Sequence, residues 1–243
     1  MIADDLAIAG FVPFSTCDWP GKLVATLFLQ GCPWDCGYCH NPSLIDPRAP
    51  GLVRWSQVRA TLDRRMGLLD GVVFSGGEPT RQAGLVNAVA EVREMGFGAA
   101  LHTSGAYPSL LARLLPNLQW VGLDIKAPYS KYAAVTGVET RGEKPWASLD
   151  LLVASGVPYE VRLTVDPTVL TLADVEEVIA EVERRGGSTP VLQEVRAEGA
   201  RPEYAAVLGL GRLHDIVPLD ALPGVERRLA HASASSAGTS PSP

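Results

Sequence analysis

The residues best equipped for chemistry lie between Gly31 and Asn41, where Cys32, Cys36 and Cys39 are three of the four cysteines in the chain. Thiolates separated by three and then two residues can hold three corners of an iron-sulfur cubane while the loop wraps it. Pro33 and Gly37 help the backbone turn tightly enough to do so. The fourth iron is left without a protein ligand, which makes it a place for a small molecule to bind.

Zinc is the alternative occupant, with His40 the only nearby candidate for the fourth ligand. Cys39 and His40 are adjacent, which makes it awkward for both to reach one tetrahedral ion. A disulfide framework does not suit a large, cysteine-poor chain without a secretory signal. Cys17, between Thr16 and Asp18, reads as an incidental thiol.

A second motif, Ser75-Gly76-Gly77-Glu78-Pro79, follows a short apolar strand. Paired glycines allow backbone amides and carbonyls to approach a ligand in conformations that side chains would block. Alone the motif says little, because many strand-to-helix turns contain Gly-Gly. One unit after the cysteine loop, it says a great deal more.

The elements that must position these motifs alternate regularly. Leu6 to Phe14 reads as an edge strand or hairpin arm, and Ser15 to Gly21 as a turn by its Asp, Pro and Gly content. Strands are expected over Leu23 to Gln30, Gly71 to Ser75, Gly98 to Thr103, Trp120 to Lys126, Tyr159 to Val165 and Val191 to Val195. Helices are expected over Ser56 to Met66, Arg81 to Met95, Ser109 to Leu115, Trp146 to Ala154, Leu172 to Arg185 and Pro202 to His214. Six such units imply an α/β fold, a partial (β/α)6 barrel of parallel strands with an open mouth. The chain divides into an N-terminal extension (1–22), the barrel domain (23–230) and a Ser-, Ala- and Pro-rich tail (231–243) that reads as disordered.

Strand faces favour a barrel over a doubly wound sheet. Glu160, Arg162 and Thr164 share one face of their strand, and Asp124 and Lys126 oppose Val121, Leu123 and Ile125 on theirs. A parallel strand buried on both faces is nearly all apolar. The charged face therefore lines a hydrated cavity, or holds a buried ion-pair network that fixes register.

With 243 residues, 47% hydrophobic and 20% charged, the chain has the make-up of a globular protein. No apolar run is long enough to span a bilayer, and the start lacks the basic flank of a signal peptide, so a cytoplasmic location is expected. A net charge of -6 argues against non-specific nucleic-acid binding.

Taken together, the spacing of Cys32, Cys36 and Cys39, the aromatic Tyr38 and the Gly76-Gly77-Glu78-Pro79 turn resemble the radical S-adenosylmethionine enzymes. Ser15 to Gly21, Gln30-Gly31 and Tyr38-Cys39-His40-Asn41-Pro42 resemble the glycyl-radical-enzyme activases within that superfamily, nearest to activators of anaerobic ribonucleoside-triphosphate reductase. Cys17 departs from the pattern, which generally has another residue there. The resemblance implies a [4Fe-4S] cluster on the three cysteines and S-adenosylmethionine on its open iron. It further implies adenine contacts from Tyr38, Cys39 and His40, and ammonium contacts from Ser75, Gly76 and Gly77 in a turn fixed by Glu78. Lys126 and Arg162 suit the ligand carboxylate, Asp124 a ribose hydroxyl or a cation, and Gln193 the ribose; Ile125 completes the cofactor segment. His102, Thr103 and Ser104 end the third strand and can line the same cavity.

The implied reaction is reductive cleavage of S-adenosylmethionine to a 5'-deoxyadenosyl radical, which abstracts hydrogen from a glycine Cα of a partner enzyme. The electron comes from a donor such as flavodoxin or ferredoxin. No protein acid, base or nucleophile is needed. Asp18 and its turn are candidates for touching the partner's loop. Two other classes stay open: a radical enzyme acting on a small molecule, such as 7-carboxy-7-deazaguanine synthase, and a non-enzymatic iron-sulfur or zinc protein.

Overall fold

The computed structural model describes residues 3–230; the tail expected over 231–243 lies outside them. Eight strands form one sheet in sequence order: β1 (Ile8–Ser15), β2 (Val24–Leu29), β3 (Gly71–Gly76), β4 (Gly98–Thr103), β5 (Trp120–Asp124), β6 (Tyr159–Val165), β7 (Val191–Glu194) and β8 (Arg227–Arg228). β1 is antiparallel to β2, and every later neighbour is parallel. β1, from the segment read as an extension, is thus an edge strand of the barrel sheet. Strands that run parallel in sequence order need helical crossovers. These are α1 (Trp55–Asp63), α2 (Leu85–Glu94), α3 (Pro108–Leu114), the short α4 (Tyr132–Thr136), α5 (Glu143–Ser155), α6 (Leu172–Arg184), α7 (Pro202–Leu208) and α8 (Leu213–Ile216). No pairing joins β8 to β1 among the described residues, so the barrel stays open.

Local chemistry explains the boundaries. α6 starts where the Thr171 hydroxyl accepts from the Asp174 amide and the Asp174 carboxylate accepts from the Thr171 amide. It presents Val175, Val178, Ile179 and Val182 to the core. α4 and α5 each end on a left-handed glycine, Gly137 and Gly156. The helix expected over Pro202 to His214 is two helices, because Gly209 takes a positive φ and interrupts it. α2 begins only at Leu85, since Pro79–Arg81 forms a 3-10 turn. The outer face of the sheet meets the helices in one large core that includes Leu27, Phe74, Leu101, Leu123 and Leu163.

On the inner face Val24, Val73, Ala100, Trp19 and Trp120 form a second, small cluster, with the two indoles stacked at 6.4 Å. This aromatic plug lies where the strands start, which leaves the space toward their C-terminal ends for a cavity. No helix among the described residues is long and apolar enough to cross a membrane.

Candidate active site

Strand order carries the two motifs to adjacent positions. β2 and β3 pair in parallel up to Leu29 and Gly76, and the ladder continues as Gly77 N donates to Leu29 O and Glu78 N to Gly31 O, both at 2.9 Å. The cysteine loop therefore leaves the sheet directly beside the Gly-Gly turn. A Cβ on Gly77 would stand 2.5 Å from the Gly31 carbonyl oxygen, and one on Gly76, at φ +121°, 2.2 Å from the Leu29 nitrogen. Only glycine fits at either position.

Glu78 is fully buried. Its Oε1 accepts from the Thr80 amide (3.0 Å), Thr80 Oγ1 (2.5 Å) and Thr103 Oγ1 (2.7 Å). Its Oε2 accepts from the Ser104 amide (2.7 Å) and Ser104 Oγ (2.5 Å). A desolvated carboxylate is tolerated when its lone pairs are satisfied in this way, and five donors satisfy it here.

Inside the sheet lies a cavity of about 790 Å3. Cys32, Cys36, Tyr38, Cys39, His40, Ser75, Gly76 and Gly77 line one side of it. Asp124, Lys126, Arg162 and Gln193 line the other. Of the residues singled out from the sequence, Glu78 and Ile125 do not line the cavity: Glu78 is turned to Thr80, Thr103 and Ser104, and Ile125 is fully buried in the core, because Asp124 and Lys126 take the inner face and leave it the outer one. No three His, Cys, Asp or Glu side chains among the described residues converge as the ligands of a single ion would. Burial pushes the Cys32 thiol up to about 12, and raises Cys36 as well. Thiolates in these positions need a cationic group against them.

The wall formed by Asp124, Lys126 and Arg162 carries both signs of charge. Arg162 Nε donates to Asp124 Oδ1 at 2.8 Å, and Lys126 Nζ sits 3.9 Å from Asp124 Oδ2 and 3.5 Å from the Tyr38 hydroxyl. Burial by itself would raise the Asp124 carboxyl, but Arg162 and Lys126 outweigh it and hold the group below the usual range. Arg162 reaches this position across Gly122, where a Cβ would stand 2.6 Å from its guanidinium. On the last strand, the partly exposed Arg228 donates twice to Glu160, at 2.7 and 2.6 Å. The inner charges are thus part ion-pair network and part cavity wall, so both readings of the strand faces hold at once.

His102 is structural in its bonding. Its Nε2 lies 2.7 Å from the Asp18 carbonyl oxygen, which can only accept, so Nε2 carries the proton and Nδ1 faces Ser75 Oγ at 3.5 Å. Burial, aided by Arg162, lowers its pKa to about 4 and keeps it neutral. Asp18 also accepts from Thr26 Oγ1 at 2.6 Å, so its turn is pinned to the cavity wall. Cys17 is exposed at the rim, 3.4 Å from Ser15 Oγ.

Sequence reasoning missed two supports of the cysteine loop. The segment after β7 lies across it: Arg201 pairs with Asp35, Gly199 packs on the His40 carbonyl, and Tyr204 packs on Gly37 and edge-on to Tyr38. Trp34 is the other, donating from Nε1 to Ser104 Oγ at 2.8 Å. Neither contact has a sequence signature, since each joins residues far apart in the chain. His40 Nδ1 faces the Arg196 guanidinium at 3.4 Å and must accept from it, which leaves Nε2–H a buried donor without a partner beside the cavity.

Residues 26–182 match the model of the Radical SAM superfamily. The chain is 31% identical over 182 residues to a protein of Methanocaldococcus jannaschii named for glycyl-radical enzyme activation, covering 72% of this chain and 75% of that one. It is 30% identical over 171 residues to the pyruvate formate-lyase-activating enzyme of Clostridium pasteurianum, covering 68% and 69%. Its fold is similar to native anSMEcpe solved with bound AdoMet and the Cp18Cys peptide, with a TM-score of 0.53, 20% identity, and coverage of 68% of this chain and 48% of that one. With its family model spanning most of the sheet and both motifs meeting at one cavity, the chain belongs to the radical SAM superfamily, whose enzymes work with a [4Fe-4S] cluster and S-adenosylmethionine.

Proposed function

We propose that this enzyme generates a glycyl radical on a partner protein, and that the partner is an anaerobic ribonucleoside-triphosphate reductase. The observation that carries the proposal is the meeting of three cavity-facing thiols with the Gly76-Gly77 turn and the Lys126-Arg162 cations around one open space. The donor set suits the cofactors. Three thiols leave one iron of a cubane free, and the orphaned His40 Nε2–H is a buried donor without an acceptor. A space of about 790 Å3 falls within the range of cofactor pockets. Cys32, Cys36 and Cys39 would hold the cluster, Ser75 and Gly77 the ammonium of S-adenosylmethionine, and Lys126 with Arg162 its carboxylate. Tyr38, His40, Asp124 and Gln193, which line the same space, would meet the adenosine.

Once bound and given one electron, the cofactors would supply the radical chemistry that takes hydrogen from a glycine Cα. The protein orients and shields that chemistry. Lys126 and Arg162 would fix the carboxylate and the glycine turn would admit the ammonium, while the plug of Trp19 and Trp120 fills the end where the strands start. The open side admits an extended loop of a macromolecule, which favours a protein partner over a small molecule.

The test is anoxic incubation of the reconstituted, reduced enzyme and S-adenosylmethionine with an anaerobic ribonucleotide reductase. The expected result is a glycyl signal by electron spin resonance. Cleavage of S-adenosylmethionine without that signal would instead favour the small-molecule reading.

A further inference from the structure

The two cofactor-facing motifs are bonded to each other through a side chain that belongs to neither. Ser104, just past β4, has one hydroxyl hydrogen. Trp34 Nε1 can only donate and a carboxylate can only accept, so Ser104 Oγ accepts from Trp34 at 2.8 Å and donates to Glu78 Oε2 at 2.5 Å. The bonds run one way, Trp34 to Ser104 to Glu78, and the middle and last members are buried with almost no access to water. Trp34 lies between Cys32 and Cys36, and its ring packs edge-on against Tyr132 at 6.2 Å. Glu78 closes the Gly-Gly turn, whose amide also reaches Gly31.

We infer that Ser104 and Trp34 are positioning residues that hold the cysteine loop in register with the Gly76-Gly77 turn, so that groups on the two motifs can engage a single ligand together. The inference rests on the reading of the site given above. β2 and β3 alone align the two backbones only as far as Gly31 and Glu78. Beyond Gly31 the loop leaves the sheet; Arg201, Tyr204 and the Asp35 N to Thr136 O bond brace it from other segments, and the indole bond joins its middle to the turn. A loop that can shift by an ångström still binds iron through three flexible thiols, yet no longer presents the open corner to a ligand held by the turn.

The experiment uses the full chain with Ser104→Ala, Ser104→Thr and Trp34→Phe, the last keeping the ring and removing only the donor. Three readouts are compared: iron and sulfide content, the change that S-adenosylmethionine causes in the spin-resonance spectrum of the reduced cluster, and hydrogen exchange of the Trp34 indole in metal-free protein. Ser104→Ala and Trp34→Phe are expected to keep iron while weakening the response to S-adenosylmethionine about tenfold, with the double variant no worse than either single one. Ser104→Thr is expected to restore the response, and the Trp34 indole to exchange faster in Ser104→Ala. An unchanged response in both single variants, or effects that multiply in the double one, would overturn the inference. Should Ser104→Ala not fold, Trp34→Phe decides alone. A wild-type protein that binds iron without responding to S-adenosylmethionine would count against the reading of the site, and the indole exchange would then decide the tie by itself.

Discussion

At the scale of single residues, the cysteines separate by environment. Cys32 and Cys36 are desolvated, so their thiolates are costly unless iron stands against them. Cys17 is exposed at the cavity rim beside Ser15. Replacing any one of Cys32, Cys36 or Cys39 by Ala is expected to abolish iron retention and reductive cleavage after anoxic reconstitution. Cys17→Ala should keep both at wild-type level, as iron and sulfide analysis will read; loss of iron in that variant would reassign the ligands. Asp124 shows the same logic with the opposite sign. Its charge survives burial because two cations face it, and removing them would leave a carboxylate with no compensation.

At the scale of elements, the Gly-Gly turn is built by close approach of backbone to backbone. A methyl group on Gly77 would meet the carbonyl oxygens of Gly31 and Leu44 at 2.5 and 2.9 Å, and main-chain atoms held in a ladder cannot retreat as a side chain can. Gly77→Ala is expected to destabilise the fold by ~1–3 kcal/mol, the usual cost of overpacking. It should also weaken binding of S-adenosylmethionine, because the turn must shift to relieve the clash. Urea unfolding of the metal-free protein reads the first effect and anoxic calorimetry the second. A Gly77→Ala protein as stable as wild type would show that the turn yields more easily than its contacts imply.

For the whole molecule, His102 couples the inner face of the barrel to the N-terminal turn and makes stability depend on pH. Its folded pKa of about 4 lies below the ordinary value of 6.5, so between these values the unfolded chain binds more protons than the folded one. Stability is therefore complete above 6.5 and falls as pH drops toward 4, by about 2–3 kcal/mol across the window. Urea midpoints at pH 7.5 and 5.5 should differ in wild type and converge in His102→Gln. An equal slope in that variant would place the titration elsewhere.

Much of this protein was legible before any coordinates. Six alternating units, the three-cysteine spacing, the glycine turn and the polar faces around Asp124 and Arg162 all depend on local periodicity and on residue types that few other structures require. The breaks in the pattern were less visible. The last helix split at Gly209, and the strand at Trp120 stopped at Asp124, because helix and strand ends depend on caps and ladder partners rather than on hydropathy. The long-range contacts were not visible at all. Trp34 on Ser104, Tyr204 on Gly37 and Arg162 over Gly122 join residues that only the barrel brings together, and no spacing along the chain encodes them. The sequence by itself determined the candidate groups: three closely spaced cysteines, a Gly-Gly turn and charged residues on one face of two strands. Only the tertiary structure decided that they face one cavity, since strand order sets which strand ends are neighbours and the alternation of side chains sets which of them look inward.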